Sequence, residues 1–319
     1  MRTVVTRALP RDALAPLDDV GEVWVSPHDR PLSADELRDA VRGADAVVTM
    51  LNDRIDGAVL TAAGPQLRIV ANTAVGYDNL DVPAITAHGC HATNTPGVLV
   101  DATADLTMAL LLDVTRRVCE GDRLIRSGQS WSWDIGFMLG AGLQGKQLGI
   151  IGMGHIGRAV AARAAAFGMR IAYHARREQP GDQGRRLDLH ELLATSDIVS
   201  LHCPLTVDTR HLIDRGALDL MKQGAYLINT ARGPIVDEDA LVQAISDGVI
   251  AGAGLDVYEH EPAVHPGLLR AENVVLAPHL GSATVETRTR MAELAVQNVV
   301  QVLSGRAPST PIPGTVTRT

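Results

Sequence analysis

Aromatic side chains are scarce in this sequence: Phe, Trp and Tyr together make up 3% of 319 residues. That argues against a surface that works by stacking bases. Cysteine is scarce too. Cys90, Cys119 and Cys203 are odd in number and lack CxxC or metal-ligand spacing, and no two histidines are spaced as ligands. Neither a disulfide framework nor a metal centre is expected, and a reducing, cytoplasmic setting is. Positive charge is in deficit, with 29 Lys and Arg against 37 Asp and Glu and a net charge of -8. A general basic surface for nucleic acid is therefore excluded. No apolar run has membrane-spanning length: the longest, around residues 106–112, ends at Asp113. The N-terminal MRTVVTRALPRDALAPLDD carries acids where a signal peptide needs an apolar core. No repeat of 20 to 50 residues and no low-complexity tract is present. What is plentiful is glycine, 30 residues, within a chain that is 46% hydrophobic. That is enough apolar material for one or two cores, with special residues placed for tight backbone geometry and a small-molecule partner.

Apolar runs of strand length alternate with helical patterns, the rhythm of an α/β protein with parallel sheets covered by helices. In the first hundred residues the strands are expected at 3–6, 23–25, 46–51, 68–73 and 91–94, with a helix over 33–41 among those between them. Residues 97–126 then read as one long helix whose apolar positions cover more than one face, buried by a neighbour or a partner subunit. After a Gly- and Trp-containing loop, six further strands are expected at 148–151, 171–174, 198–202, 226–230, 253–257 and 274–277, which match a dinucleotide-binding doubly wound sheet. The last helix, 284–303, has no strand after it and is long enough to return to the first domain. The expected division is 1–97 with 284–319 as one discontinuous domain and 98–283 as the other.

Two stretches match GxGxxG. Gly140-Ala-Gly-Leu-Gln-Gly145 runs from loop into strand, the wrong order for a phosphate cradle, and reads as linker. Gly152-Met153-Gly154-His155-Ile156-Gly157 follows a strand and opens a helix, with Ile156, Ala159, Val160, Ala164 and Phe167 at helical spacing. There Gly152 permits the turn, Gly154 lets a pyrophosphate approach, Gly157 lets helix and strand pack, and the helix start supplies unpaired N–H groups, His155 and Ile156 among them. The next strand ends Tyr173-His174-Ala175-Arg176-Arg177, with no carboxylate for a ribose 2′-hydroxyl but two guanidiniums suited to a 2′-phosphate. NADP(H) is expected in preference to NAD(H).

Reducing a carbonyl by hydride needs a proton donor, a cation that orients the substrate, and a group that keeps the donor protonated. Three strand-end segments supply them: Asn229-Thr230-Ala231-Arg232-Gly233, Asp256-Val257-Tyr258-Glu259-His260-Glu261-Pro262, and Pro278-His279-Leu280-Gly281-Ser282. With the glycine motif, they resemble the D-2-hydroxyacid dehydrogenase family, whose pattern runs GxGxxG, Arg-Gly, an acid before Pro, then Pro-His-(Ile/Leu)-Gly. The resemblance covers essentially the whole chain. It implies a Rossmann cofactor domain inserted into a flavodoxin-like substrate domain. The catalytic set falls on Arg232, Glu261 and His279: the arginine holds the substrate carboxylate and polarises its keto group, the histidine donates the proton, and the glutamate favours the protonated imidazole and orients it. Glu259 competes with Glu261 for that role, and the position before Pro262 favours Glu261.

The same resemblance implies that Asp256 binds the nicotinamide carboxamide, although it also reads as a simple turn acid. It places Cys203, Pro204, Thr230 and Gly281 along the cofactor, and Leu51, Val75, Gly76 and Ser282 at the substrate, with the Val75 and Gly76 N–H groups on its carboxylate. The 97–126 helix resembles a dimerisation helix, so a homodimer is implied, and Trp131 or Trp133 is a candidate to reach the partner's active site. The Gly281-Ser282-Ala283-Thr284 ending is similar to glyoxylate and hydroxypyruvate reductases. Alternatives are another member of the family acting on pyruvate, a branched 2-oxo acid or 2-oxogluconate, and a dinucleotide-sensing corepressor of the same fold.

Overall fold

The computed structural model describes residues 1–178 and 183–315; residues 316–319, the end of the expected first domain, lie outside the described residues. The chain forms two compact units, Met1–Leu99 with Thr284–Thr319 and Val100–Ala283.

The first unit is built on five parallel strands, β1 (Arg2–Val5), β2 (Glu22–Val25), β3 (Ala46–Thr49), β4 (Ile69–Asn72) and β5 (His91–Thr93), in the order β2-β1-β3-β4-β5. This is the flavodoxin-like order. Side chains alternate across the sheet, and both faces are covered, which is why apolar residues occupy the strand centres. Val4, Val47, Val70 and Ala92 pack with Leu37, Val59, Leu60 and Ile85 from the helices Ala34–Ala40, Gly57–Ala63 and Val82–His88. Val5, Val48, Ile69 and Ala71 face the helix Val285–Leu303 through Ala295, Val296, Val299 and Val302. The strands stop short of the expected runs because Met50, Leu51 and Thr73 turn out of the sheet into loops.

The second unit holds seven parallel strands: β6 (Gln147–Ile151), β7 (Arg170–His174), β8 (Arg185–Arg186), β9 (Ile198–Leu201), β10 (Tyr226–Asn229), β11 (Gly252–Leu255) and β12 (Val274–Leu276). Their order, β12-β11-β10-β9-β6-β7-β8, reverses direction between β6 and β9, the switch point where ligands bind in doubly wound sheets. Six strands were expected. The seventh, β8, is a pair of arginines without an apolar residue, held by pairing with β7 and anchored by the buried Leu187 that follows it.

The expected single helix over 97–126 is two helices, Val100–Arg116 and Val118–Arg126. Between them Arg117 adopts φ 58°, and the Asp113 carboxylate accepts the Cys119 N–H at 2.7 Å and its thiol at 2.6 Å, so the acid that ends the apolar run also caps the second helix. The first helix buries Met108, Leu110, Leu111 and Val114 within its own unit, whereas the second buries nothing. Phe167, which falls at helical spacing in the sequence, stands just past the helix end and is exposed. Among the described residues no helix is long and apolar enough to cross a membrane.

Candidate active site

The phosphate turn lies between β6 and the helix His155–Ala166. Gly152 has φ 100°, and a methyl group there would lie 2.5 Å from the Cys203 nitrogen; one on Gly157 would lie 2.2 Å from the Gly152 carbonyl oxygen. Neither position admits a side chain. Gly154 is different: a methyl group there would meet nothing within 4 Å. Open space therefore faces a helix start that no side chain caps, where the N–H groups of His155 and Ile156 lack intrahelical acceptors. A pyrophosphate fits that cradle in shape and in charge. The Gly140 motif leads into β6 with no helix after it. Cys203 and Pro204 follow β9 beside the turn, and burial pushes the Cys203 thiol up to about 11. Beyond β7, Arg176 and Arg177 are exposed.

The three strand-end segments meet at the carboxyl edge of β10, β11 and β12. His279 Nδ1 lies 2.8 Å from Glu261 Oε2; a carboxylate only accepts, so Nδ1 carries the proton toward it and Nε2 is the atom left for other work. His279 holds φ 56°, a strained backbone for a residue with a Cβ. Burial alone would push the Glu261 carboxyl up. The hydrogen bond and charge of His279, the Tyr258 N–H at 3.1 Å and the charge of Arg232 outweigh that and hold it below the usual range. Glu259 points elsewhere, to His211 at 2.6 Å and Arg210 at 2.9 Å. Glu261 is thus the acid beside His279.

Asp256 is placed as the turn acid. It is 1% exposed, its Oδ1 accepts the Leu280 N–H at 2.6 Å and its Oδ2 the Gly281 N–H at 2.8 Å. The carboxylate holds the turn that presents His279. Gly281 packs against it, and Ser282 follows, half-buried.

Other contributors left only a faint trace in the sequence. Asn229, at the end of β10, donates to the Arg232 carbonyl at 2.9 Å and accepts the Ala231 N–H at 3.0 Å, which sets the turn carrying Arg232. Thr103 donates to the Gly281 carbonyl at 3.0 Å, and Thr107 shares a hydrogen bond of 2.9 Å with Thr230. Two threonines four positions apart on an otherwise apolar helix face are the signal that marks them. A methyl group on Gly233 would lie 1.9 Å from the Tyr258 carbonyl carbon, so the Arg232 and Glu261 loops abut backbone to backbone.

In the first unit, the loops after β3 and β4 are knitted together. Asn79 donates to the Met50 and Asp53 carbonyls at 3.1 and 3.0 Å, Asn72 to the Gly76 carbonyl at 2.9 Å, and Asn94 to the Val75 carbonyl at 2.8 Å. Asp53 is buried and accepts from Thr6, Thr49 and the Met50 N–H. Leu51 is half-buried in this loop pair. Among the described residues nothing accepts the N–H of Val75 or Gly76. Two successive N–H groups without an acceptor suit an anion.

The loop after Arg126 carries Trp131 and Trp133, both exposed, with Trp131 stacked on Phe137 at 5.9 Å between centroids. A cavity of about 410 Å³ lies at the opposite, amino edge of the second sheet, between Asp113, Arg117, Cys119, Tyr226 and Asn273, and contains none of the expected site residues.

Residues 108–281 match the family model described as D-isomer specific 2-hydroxyacid dehydrogenase, NAD binding domain. Over 317 residues the chain is 49% identical to the glyoxylate reductase of Aeropyrum pernix, covering 96% of this chain and 94% of that protein. It is 45% identical to the glyoxylate reductase of Thermococcus litoralis over 96% of this chain and 95% of that one. Among solved structures, a protein of Thermus thermophilus superposes with a TM-score of 0.93 at 48% identity, covering 98% of this chain and all (100%) of that one. An NADPH-dependent glyoxylate/hydroxypyruvate reductase of Sinorhizobium meliloti, in complex with NADP and malonate, superposes with a TM-score of 0.86 at 33% identity, covering 100% of this chain and 98% of that one.

Proposed function

The chain belongs to the D-isomer specific 2-hydroxyacid dehydrogenase family, and on that footing we propose that it is an NADP(H)-dependent reductase of small 2-oxo acids, glyoxylate or hydroxypyruvate, yielding the D-2-hydroxy acid. The observation that carries the reading is the 2.8 Å pair between His279 Nδ1 and Glu261 Oε2, with Arg232 close enough for its charge to act on that carboxylate. When bound, the nicotinamide supplies a hydride to the keto carbon. His279 gives the Nε2 proton to the keto oxygen, which becomes the hydroxyl, and Glu261 steadies the imidazole while its charge falls. Arg232 orients the substrate carboxylate and polarises the keto group. In the first unit, which we take as the substrate domain (1–97 with 284–319), the Val75 and Gly76 N–H groups receive a carboxylate and Leu51 forms the pocket wall. Residues 98–283 form the cofactor domain.

Two findings support NADP(H): past β7 no carboxylate stands at His174 or Ala175 while Arg176 and Arg177 follow, and the Sinorhizobium relative is NADPH-dependent. A homodimer is proposed because Val118, Ile125, Trp131, Trp133, Ile135 and Leu139 leave apolar surface exposed along one short stretch of chain. Initial rates of NADPH and NADH oxidation with glyoxylate, hydroxypyruvate, pyruvate and longer 2-oxo acids test the assignment. The highest kcat/KM is expected for NADPH with glyoxylate or hydroxypyruvate. A preference for NADH refutes the cofactor, preference for a longer acid refutes the substrate, and inactivity on all of them favours a binding protein.

A further inference from the structure

The shortest strand of the second sheet brings another guanidinium to the nucleotide end of β7. In β8, Arg185 pairs across from Ala172 and Arg186 from Tyr173, so the backbone ladder fixes where both begin. Arg185 is balanced by Glu191 at 3.0 Å. Arg186 is not: its Nε and Nη2 donate to the Ala175 carbonyl at 3.2 and 2.9 Å, and Nη2 also reaches the Arg176 carbonyl at 3.2 Å. Among the described residues no carboxylate pairs with Arg176, Arg177 or Arg186, and nothing accepts from Arg186 Nη1.

Two consequences follow from elementary electrostatics. Carbonyl oxygens at the end of a parallel strand present negative charge to whatever approaches, and a phosphate dianion is repelled by them. The Arg186 fork covers two of these oxygens and sets a positive charge beside them. It also pins the Ala175–Arg176 backbone, so that Arg176 and Arg177 leave from a held turn, which lowers the entropy lost when they grip an anion. Guanidiniums that no described carboxylate pairs repel one another, and a bound dianion relieves that repulsion.

We propose that Arg186 is a specificity-determining residue for the 2′-phosphate of the cofactor, capping the Ala175 and Arg176 carbonyls and offering Nη1 to the phosphate. The inference rests on the NADP(H) reading above. Calorimetric titration with adenosine 2′,5′-diphosphate and with 5′-AMP, which differ only in the 2′-phosphate, tests it alongside kcat/KM for NADPH and NADH with glyoxylate. In R186A the diphosphate is expected to bind about tenfold more weakly, with 5′-AMP changed by less than about twofold. The loss with NADPH should run parallel while NADH is spared. R186K, which keeps the charge but not the fork, should recover part of the loss. R186Q provides the same comparison where the alanine variant does not fold.

Equal weakening of both ligands means a merely structural role and overturns the proposal, as does an unchanged ratio in a protein that does discriminate. A wild-type protein that binds 5′-AMP as tightly as the diphosphate overturns the NADP(H) reading itself, and this inference with it.

Discussion

At the scale of single residues, the chemistry rests on His279. H279A is expected to lower kcat by about 10²- to 10⁴-fold while leaving the melting temperature and cofactor affinity near those of the wild type. Near-normal turnover in steady-state assays would refute its role. A second residue prediction concerns His202, whose burial holds its imidazole down to about 4, with Ser200 Oγ 2.8 Å from Nε2. An unfolded histidine titrates near 6.5. Between those values the unfolded chain binds the extra proton, so stability falls as pH drops from about 6.5 toward 4 and levels off below. Urea unfolding across that range should show the slope in the wild type and a shallower one in H202Q; superimposable curves would remove His202 from the account. Arg232, Glu261 and His279 were legible because each closes a short motif directly after an apolar run. Thr103 and Thr107 were not, since their partners lie 178 and 123 positions away and only the folded helix brings them together. Asp256 illustrates the converse: its position was visible, but its burial against two backbone N–H groups was not.

At the scale of elements, the Arg232 loop and the Tyr258–Glu261 loop share one tight backbone contact at Gly233. G233A is expected to force them apart, lowering stability by about 1–3 kcal/mol and kcat by more than KM changes, as read by thermal melting and initial rates. An alanine variant with wild-type kcat would show that the loops move independently. Strands were the most legible elements, because a parallel sheet covered on both faces demands unbroken apolar runs. β8 escaped for the same reason: it sits at an edge, is two residues long, and is held by pairing with β7 and by Leu187 rather than by its own side chains. The helix break at Arg117 also escaped, because the apolar pattern continues through it and the cause is the Asp113 carboxylate reaching Cys119.

At the scale of the whole molecule, the exposed apolar stretch after Arg116 predicts self-association. Trp133 is 76% and Ile135 86% exposed, and sedimentation should report twice the chain mass for the wild type and a lighter species for a variant with both replaced by serine. A wild-type monomer at assay concentration would refute the dimer. The net charge of -8 gives no help in gathering anionic ligands from a distance, so attraction must come from local groups such as the helix start at His155 and the guanidiniums beyond β7. The discontinuous first unit bears on the order of events during synthesis. Its sheet is made before the inserted unit, yet one face stays bare until Ala295, Val296, Val299 and Val302 arrive. The inserted unit is complete by Ala283. The sheet that precedes the inserted unit in the chain therefore closes its core only after that unit is made, and until then its valines are open to misassociation.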